Sequence, residues 1–517
     1  MQLAFGDQSK RHLENLLSLA TKEFPPSFSK LWEKRSSLLS LLHIGARHTR
    51  KAPVTECTIP HANLLDLPMI KSWPLDGGEF LTLPLVYTEH PEGMGAPNLG
   101  MYRIQRYDSR FAGLHWQIGK GGGFHYHAAE KLNKALPVTI FLGGPPALIL
   151  SAIAPLPENV PELLLCSFLL GEKLSKTKID NHPHSLISEC EFALVGESLP
   201  HERRLEGPFG DHYGYYSWAH EYPIFTCKKI YHRKDAIYPA TIVGKPRQED
   251  FYIGDYLQDL LSPLFPIVMP GVKDLWSYGE TGFHSLGAAV VKERYYRECM
   301  SSAFRILGEG QLSLTKFLIL LEDSINLKDF KAVLKHALER FKPQTDLFIF
   351  ANLSLDTLDY TGPALNKGSR GVMVATGKAV RTLPEHYSSS LPKQVTYAQA
   401  FVPGCLVLSG HFGGHLEGAR ALQELCNDPL VQQWPLLILV DNVEETNRCT
   451  ESFLWTVFTR FEPAADIYAA KQEIYRNHIQ FHGSILIDAR MKPDYPPVVE
   501  CDEKTKELVD KRWNSYF

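Results

Sequence analysis

From about residue 80 to about residue 295 the chain is a succession of short β-rich runs. EFLTLPLVYTE, MYRIQRYD, LHWQIG, VTIFLGG, ECEFALVG, IFTCKKIYHR and SLGAAVVKE are divided by clusters of Gly, Pro and Asn. Short strands in such numbers must close their edges on one another, which predicts a barrel or sandwich with helical insertions. Near residue 300 the period changes. KFLILLED followed by LKDFKAVLKHALERF reads as a buried strand and an amphipathic helix, the unit of an α/β layer.

That unit returns. FLILLED to ERFKPQTDLF (317–348) is matched by LLILVDN to TRFEPAADIY (436–468). Each copy is an apolar strand, an acidic turn, a helix, Arg-Phe-x-Pro and an Asp before an aromatic or apolar residue. The match predicts a duplicated βαβ-like piece in the C-terminal half. The expected linker is 379–402, centred on TLPEHYSSSLPKQ. Residues 9–50 read as helical, with Leu13, Leu16, Leu17 and Leu19 beginning an apolar face.

Charge and cysteine usage narrow the functional classes. Lys and Arg number 54 against 58 Asp and Glu, without long like-charge runs, so a nucleic-acid partner is not expected. No apolar stretch reaches the roughly 18 residues of a membrane span, and MQLAFGDQSKRHLENLL lacks the layout of a signal peptide. Nine scattered cysteines without CxxC read as reduced thiols of a cytoplasmic protein.

Several motifs carry chemistry only weakly. GKGGGFHYH (119–127) lacks the Gly-Lys-Ser/Thr ending and the GxGxxG spacing, and reads as a flexible turn. His125 and His127 share a face if that segment is extended. His411 and His415 share a face only on a helix, which Gly413 and Gly414 oppose. GxSxG, HExxH and the kinase signatures are absent.

Two segments are more informative. PNLGMYRIQRYD places Arg103 in a strand beginning at Met101. An Arg facing a barrel interior needs an anionic partner, supplied by a substrate or by a structural carboxylate. LEGPFGDHYGYY offers Glu206 and Asp211 as hard oxygen donors for Mg²⁺ or Mn²⁺. Downstream, HRKDAIYPATIVGKPRQED ends with Glu249 and Asp250 available as acids.

Taken in order, NLGMYRIQ, GGPPALILSAIAPLP, LEGPFGDHYGYY and RKDAIYPATIVGKPRQED resemble the UbiD-type decarboxylase family. KDLWSYGETGFHSLGAAVVKERY and GSRGVMVAT extend the likeness to about residue 375. The resemblance implies an α+β multidomain fold with an N-terminal α/β domain (1–80), a central split β-barrel that binds flavin (81–298) and a C-terminal α/β domain (299–517) whose extension contains the second strand–helix copy. It implies a carboxy-lyase using prenylated FMN, Mn²⁺ or Mg²⁺ and K⁺.

Residue by residue, the family pattern makes Asn98 and Glu206 metal ligands and Arg103 the contact to substrate carboxylate and flavin. Glu249 is then the proton donor, and Glu280 a further active-site glutamate. Met101, Tyr102 and Gln117 are the accompanying flavin contacts. Gly119 stands where the family commonly has His, so His125 or His115 is the expected substitute ligand, with His125 assigned. A flavin prenyltransferase is the implied cofactor supplier, and a homodimer or homohexamer the implied assembly.

The second copy and HWQIG favour a dihydroxynaphthoate-type acid of menaquinone biosynthesis over the 3-polyprenyl-4-hydroxybenzoate of ubiquinone biosynthesis. A prenylated substrate would bring the protein to the periphery of the inner membrane. The rival readings are a catalytically silent flavin-binding protein and an FMN reductase on a similar barrel.

Overall fold

Antiparallel pairing organises the first half of the chain in a computed structural model that describes residue 15 and residues 27–516 apart from 118, 157–159, 246 and 414. The face expected at Leu13, Leu16, Leu17 and Leu19 lies outside the described residues. The strands are β1 (Cys57–Ile59), β2 (Phe80–Leu81), β3 (Leu85–Thr88), β4 (Asn98–Met101), β5 (Ile104–Arg106) and β6 (Phe111–Leu114). Helix α1 (Gly121–Lys131) precedes β7 (Leu136–Leu142), β8 (Phe192–Glu206) and β9 (His220–His232), and α2 (Glu249–Leu261) follows. They form one sheet in the order β2-β5-β6-β9-β8-β7-β3-β4, with β1 also on β9.

The order dictates the shape. Strand β4 is one edge and β5 is next to the opposite edge, yet only Tyr102 and Arg103 separate them in the chain. Three Cα–Cα steps span at most about 11 Å, so the two ends of the sheet must meet. It curls into a half-barrel, and Arg103 sits at the seam. The expected strand starting at Met101 instead ends there, because the chain crosses from one edge to the other at this point.

Period-two alternation sorts the side chains. Leu136, Val138, Ile140 and Leu142 of β7 pack with Val86, Ile104, Leu114, Leu194 and Phe225 in one core. Phe141 points the other way, into a second core with Leu85, Tyr87, Ala193 and Val195. Each large apolar side chain so buried contributes about 1.5–3 kcal/mol.

The glycine-rich segment is a helix rather than a turn. Gly122, His125, Tyr126 and Ala129 fall at i, i+3, i+4 and i+7 and form its buried stripe. His125 is therefore buried while His127 is exposed; the two do not share a face.

By compactness the chain forms two units, Met1–Leu260 with Pro496–Phe517, and Leu261–Tyr495. The second unit contains β10 (Val272–Ser277), β11 (Leu286–Val291), α3 (Glu298–Leu307), β12 (Phe317–Leu321), α4 (Phe330–Arg340), β13 (Leu347–Ser354) and β14 (Lys367–Ala375). It continues with β15 (Val395–Val402), β16 (Cys405–Gly410), α5 (His415–Cys426), β17 (Leu436–Leu439), α6 (Thr450–Arg460), β18 (Ile467–Tyr475) and β19 (His478–Asp488). The sheet orders are β10-β11-β12-β14-β13 and β15-β16-β17-β19-β18. Both run antiparallel, parallel, parallel, antiparallel across the sheet. The second is a topological copy of the first. Regular structure returns at Val395, so the expected linker ends at 394.

Local bonds repeat as well. Asp346 Oδ2 accepts from the Lys342 N–H at 2.9 Å, and Asp466 Oδ2 accepts from the Glu462 N–H at 2.6 Å. The two copies share one core, where Phe330 of α4 meets Phe453 and Phe458 of α6 with ring centroids 6.0 and 5.9 Å apart. Among the described residues no helix is long and apolar enough to cross a membrane.

Because Phe330 belongs to both copies' packing, Phe330→Ala should destabilise the chain by about 3–5 kcal/mol. Phe453→Ala should cost about as much. The double variant should fall short of the sum by roughly 0.5–3 kcal/mol, read from urea unfolding followed by tryptophan fluorescence.

Candidate functional site

At the seam, a buried guanidinium must find its partners from elsewhere in the chain. Arg103 Nε donates to Glu206 Oε1 at 2.7 Å and Nη2 to Glu206 Oε2 at 3.0 Å, a bidentate pair. Nη2 also donates to Ser217 Oγ at 2.8 Å, and Nη1 donates to Asp211. The guanidinium lies over the Phe209 ring at 4.7 Å. On the far side of Glu206, His115 Nδ1 is 3.1 Å from Oε2.

These groups are nearly dry: Arg103 is 8% exposed, Asp211 7%, His115 5% and Glu206 0%. Burial alone would raise the Glu206 pKa, but Arg103 and then His115 hold it down at about 2. Burial also opposes ionisation of Asp211, and His212 and Arg103 keep it below the usual carboxylate range. Burial, and then Arg103, lowers His115, so its imidazole is neutral and Nδ1–H donates to the carboxylate. One guanidinium thus faces two carboxylates.

The loop that delivers these acids is held from three sides. Glu206 ends β8 opposite His220 of β9. Gln105 Oε1 of β5 accepts from the Gly207 N–H at 2.7 Å, and Asp76 Oδ1 accepts from the Gly210 N–H at 2.8 Å. The C-terminal tail returns to the same loop: Tyr215 bridges Val498, and the Val499 N–H donates to the Gly214 carbonyl at 2.9 Å. Gln105, Ser217 and this tail went unseen in the sequence. Gln105 lies within PNLGMYRIQRYD but nothing there marked it, and Ser217 and the tail lie far from Arg103 along the chain.

Next to the seam, the N-terminus of α1 forms a cradle. A Cβ at Gly121 would strike Asn98 Oδ1 at 2.2 Å, and one at Gly122 would strike Trp116 Nε1 at 2.6 Å. Asn98 Nδ2 and the Gly122 N–H each lie 3.4 Å from the Tyr102 hydroxyl. Trp116 Nε1 is enclosed and has no hydrogen-bond partner among the described residues. An unsatisfied indole N–H beside the positive end of a helix suits an anionic group such as a flavin phosphate. Asn98 and Tyr102 are thus brought together, while Met101 ends the adjoining strand and Gln117 Nε2 lies 3.4 Å from His115 Nε2.

The proposed metal ligands are not assembled as a set. Both oxygens of Glu206 are engaged by Arg103 and His115. His125 Nδ1 instead bonds Thr88 Oγ1 at 2.9 Å, and its ring meets His90 edge-on at 6.0 Å. Among the described residues no group of three or more His, Cys, Asp or Glu is arranged to hold a metal. The helical pitch of α1 is the reason, since it directs His125 toward β3 rather than toward the end of β8.

The two acids of α2 differ. Glu249 is exposed and its Oε2 accepts from Thr241 Oγ1 at 3.2 Å, whereas Asp250 is half-buried. Glu280 lies in the short turn Gly279–Thr281 of the second unit. A separate histidine pair was not anticipated: His182 Nε2 and His184 Nδ1 share Thr139 Oγ1 at 2.8 and 3.1 Å. Burial first, then charged or ionisable neighbours, lowers each of them to about 4.

Comparison with known proteins bears on the family and the fold. Residues 46–246 match the model of the 3-octaprenyl-4-hydroxybenzoate carboxy-lyase Rift-related domain (UbiD), and residues 251–375 match the carboxy-lyase C-terminal domain. An uncharacterised protein of Chlamydia muridarum is 51% identical over 100% of this chain and 88% of its own length. A Chlamydia pneumoniae protein, named as a subunit of 4-hydroxybenzoate decarboxylase, is 53% identical over 95% of this chain and 83% of its own.

Solved structures share the fold. The closed form of Sedimentibacter hydroxybenzoicus vanillic acid decarboxylase aligns with a TM-score of 0.62 at 23% identity, covering 78% of this chain and 83% of that one. The UbiD-class enzyme HmfF from Pelotomaculum thermopropionicum, in an evolved dimeric form with prFMN, aligns with a TM-score of 0.58 at 20% identity, covering 75% and 83%. The second copy in the C-terminal half, beyond residue 375, lies outside both family models.

Glu206→Gln should destabilise the protein by about 3–5 kcal/mol, since it leaves a buried guanidinium short of a charge partner; chemical denaturation at neutral pH measures this. The histidine pair predicts a second effect. A histidine held near 4 in the fold but near 6.5 when unfolded contributes stability that is full above about 6.5 and is lost as pH falls toward about 4. His184→Gln should therefore flatten the pH dependence of the denaturation midpoint in that window.

Proposed function

We propose a reaction from the premise that the chain belongs to the UbiD family of carboxy-lyases: it removes CO₂ from a hydroxy-aromatic acid, with prenylated FMN bound at the seam of the curled sheet. The observation that carries the reading is the dry Arg103–Glu206–Asp211 cluster at that seam. When bound, the prenylated flavin supplies the electron sink for carbon–carbon cleavage.

The protein's part is positioning and charge. The α1 cradle of Gly121, Gly122 and Trp116 takes the phosphate end. Four contacts to Glu206, Asp211 and Ser217 hold the guanidinium plane rigid. They leave one of its five N–H donors for a substrate carboxylate oxygen. Exclusion of water strengthens that contact. An acid from the first turn of α2, Glu249 or Asp250, returns a proton to the ring carbon. Glu280 is assigned a supporting role in the same reaction. Divalent metal and K⁺ receive no step, because Glu206 already serves Arg103 and His115.

Three observations bear on the acid. The name of the Chlamydia pneumoniae relative and the vanillic acid neighbour speak for a single-ring hydroxybenzoate. The second C-terminal copy speaks for the dihydroxynaphthoate type, with the prenylated hydroxybenzoate as its rival. The relative's name as one subunit of a decarboxylase supports a companion chain. A flavin prenyltransferase supplies the cofactor. Homo-oligomerisation, a cytoplasmic location and membrane-surface contact with a prenylated substrate belong to the same proposal.

Coexpression with a flavin prenyltransferase should yield a coloured protein whose bound cofactor has the mass of prenylated FMN. The same preparation should release CO₂ from at least one of 4-hydroxybenzoate, 3,4-dihydroxybenzoate and dihydroxynaphthoate. A colourless protein inert toward all of them after reconstitution would refute the reading.

A further inference from the structure

Helix α1 opens on Gly121, Gly122 and Gly123, and its N-cap residue, Lys120, makes no side-chain cap bond. The Phe124 N–H reaches back to the Lys120 carbonyl at 3.1 Å, so the three glycine N–H groups precede the helix's own ladder. A Cβ on any of these glycines would meet the wall around them. The contacts would be Asn98 Oδ1 at 2.2 Å, Trp116 Nε1 at 2.6 Å and the Gln117 carbonyl at 3.1 Å. Trp116 is 6% exposed, and its enclosed Nε1–H has no partner among the described residues. An indole nitrogen can only donate, so what it lacks is an acceptor. An unpaired donor beside the positive end of a helix specifies an anion with several acceptor oxygens.

The acids that could bring a divalent cation to this anion are engaged elsewhere. Glu206 turns both oxygens to Arg103, and one of them also receives His115. Asp211 turns one oxygen to Arg103 and the other to the backbone and ring of His212. Asp76 accepts from the Gly210 N–H with Oδ1 and from the Ser72 and Trp73 N–H groups with Oδ2. Glu162 Oε2 accepts from the Leu99 N–H at 3.0 Å. Gly119 has no side chain to offer, and His125 is turned to Thr88. Mg²⁺ and Mn²⁺ take hard oxygen ligands, carboxylates above all. Withdrawing Glu206 to supply one would strip a buried guanidinium of its bidentate partner.

We propose, on the flavin-dependent reading above, that this chain holds the phosphate of its flavin in the α1 cradle without a divalent cation. The glycine N–H groups and Trp116 Nε1–H donate to the phosphate oxygens, and Lys120 at the N-cap adds positive charge to that end of the helix. Glu206 stays with Arg103 in the loaded and the empty protein alike, so cofactor loading leaves the guanidinium clamp in place.

The test titrates the full-length chain with FMN and with riboflavin, followed by flavin fluorescence, in EDTA and in added Mn²⁺ or Mg²⁺. FMN should bind with the same Kd in all three media. Riboflavin, which lacks the phosphate, should bind more weakly by at least about 10-fold. Trp116→Phe should weaken FMN by about 10–100-fold, the worth of one hydrogen bond to a charged group, and leave riboflavin unchanged. If Trp116→Phe does not fold, Gly122→Ala decides. Alanine suits a helix better than glycine, so loss of FMN affinity with riboflavin affinity kept reports a filled cradle. Protein loaded by coexpression with a flavin prenyltransferase should hold no stoichiometric Mn or Mg and should keep its cofactor through dialysis against EDTA.

The inference is overturned if EDTA weakens FMN binding and Mn²⁺ or Mg²⁺ restores it, or if the loaded protein carries such an ion in every chain. It is also overturned if Trp116→Phe, or Gly122→Ala in its place, binds FMN as tightly as the wild type. A wild-type chain that binds neither FMN nor riboflavin in any medium, and gains no prenylated FMN on coexpression, sinks the flavin reading instead. That failure is visible without any variant.

Discussion

The first unit turns on a single buried ion cluster. Arg103 closes the curled sheet at the point where the chain passes from one edge to the other, and its guanidinium is held by acids 103 and 108 positions away. A lone guanidinium in that position would be prohibitively costly, so the β8–β9 loop must fold back to meet it. Gln105, Asp76 and the returning C-terminal tail fix the loop in that pose. The same arrangement that allows the sheet to curl closed also leaves a dry, charged cluster at the seam. The pairing that makes the burial of Arg103 tolerable also fixes the direction of its remaining donor.

The second unit solves a different problem. An α/β layer of five strands has two apolar faces to cover. In this chain a second layer with the same strand order supplies part of the cover, and the aromatic faces of α4 and α6 meet in a joint core. The repeated Asp-to-backbone bond after each Arg-Phe-x-Pro shows that even the turn geometry was duplicated. The family's C-terminal model ends at residue 375, so the second copy lies outside it.

Much of this was legible in the residues. The short β-rich runs announced a barrel or sandwich, and the two Arg-Phe-x-Pro segments announced a repeat. The change of period near 300 announced an α/β layer that in fact begins earlier, with β10 and β11, so that SLGAAVVKE belongs to it and not to the curled sheet. That Arg103 needs an anionic partner followed from desolvation alone; that structural carboxylates fill the role did not. Other features were not legible. The glycines of GKGGGFHYH masked a helix whose stripe was Gly122, His125, Tyr126 and Ala129. The assignment of His125 as a ligand failed to foresee Thr88 as its partner. Glu249 and Asp250 looked equivalent because adjacent acids have the same chemistry until burial distinguishes them.

Local pattern by itself indicated the general run of strands and helices, though not the helix at 121–131 or the strand end at Met101. It also indicated that the chain contains a repeat and which family it belongs to, because periodicity, turn residues and motif order are written in neighbouring positions. Only the tertiary structure decided which acids meet Arg103, which histidine is buried and which of two adjacent carboxyls turns inward. Those outcomes depend on desolvation and on contacts between residues a hundred positions apart, and neither quantity exists until the sheet has closed.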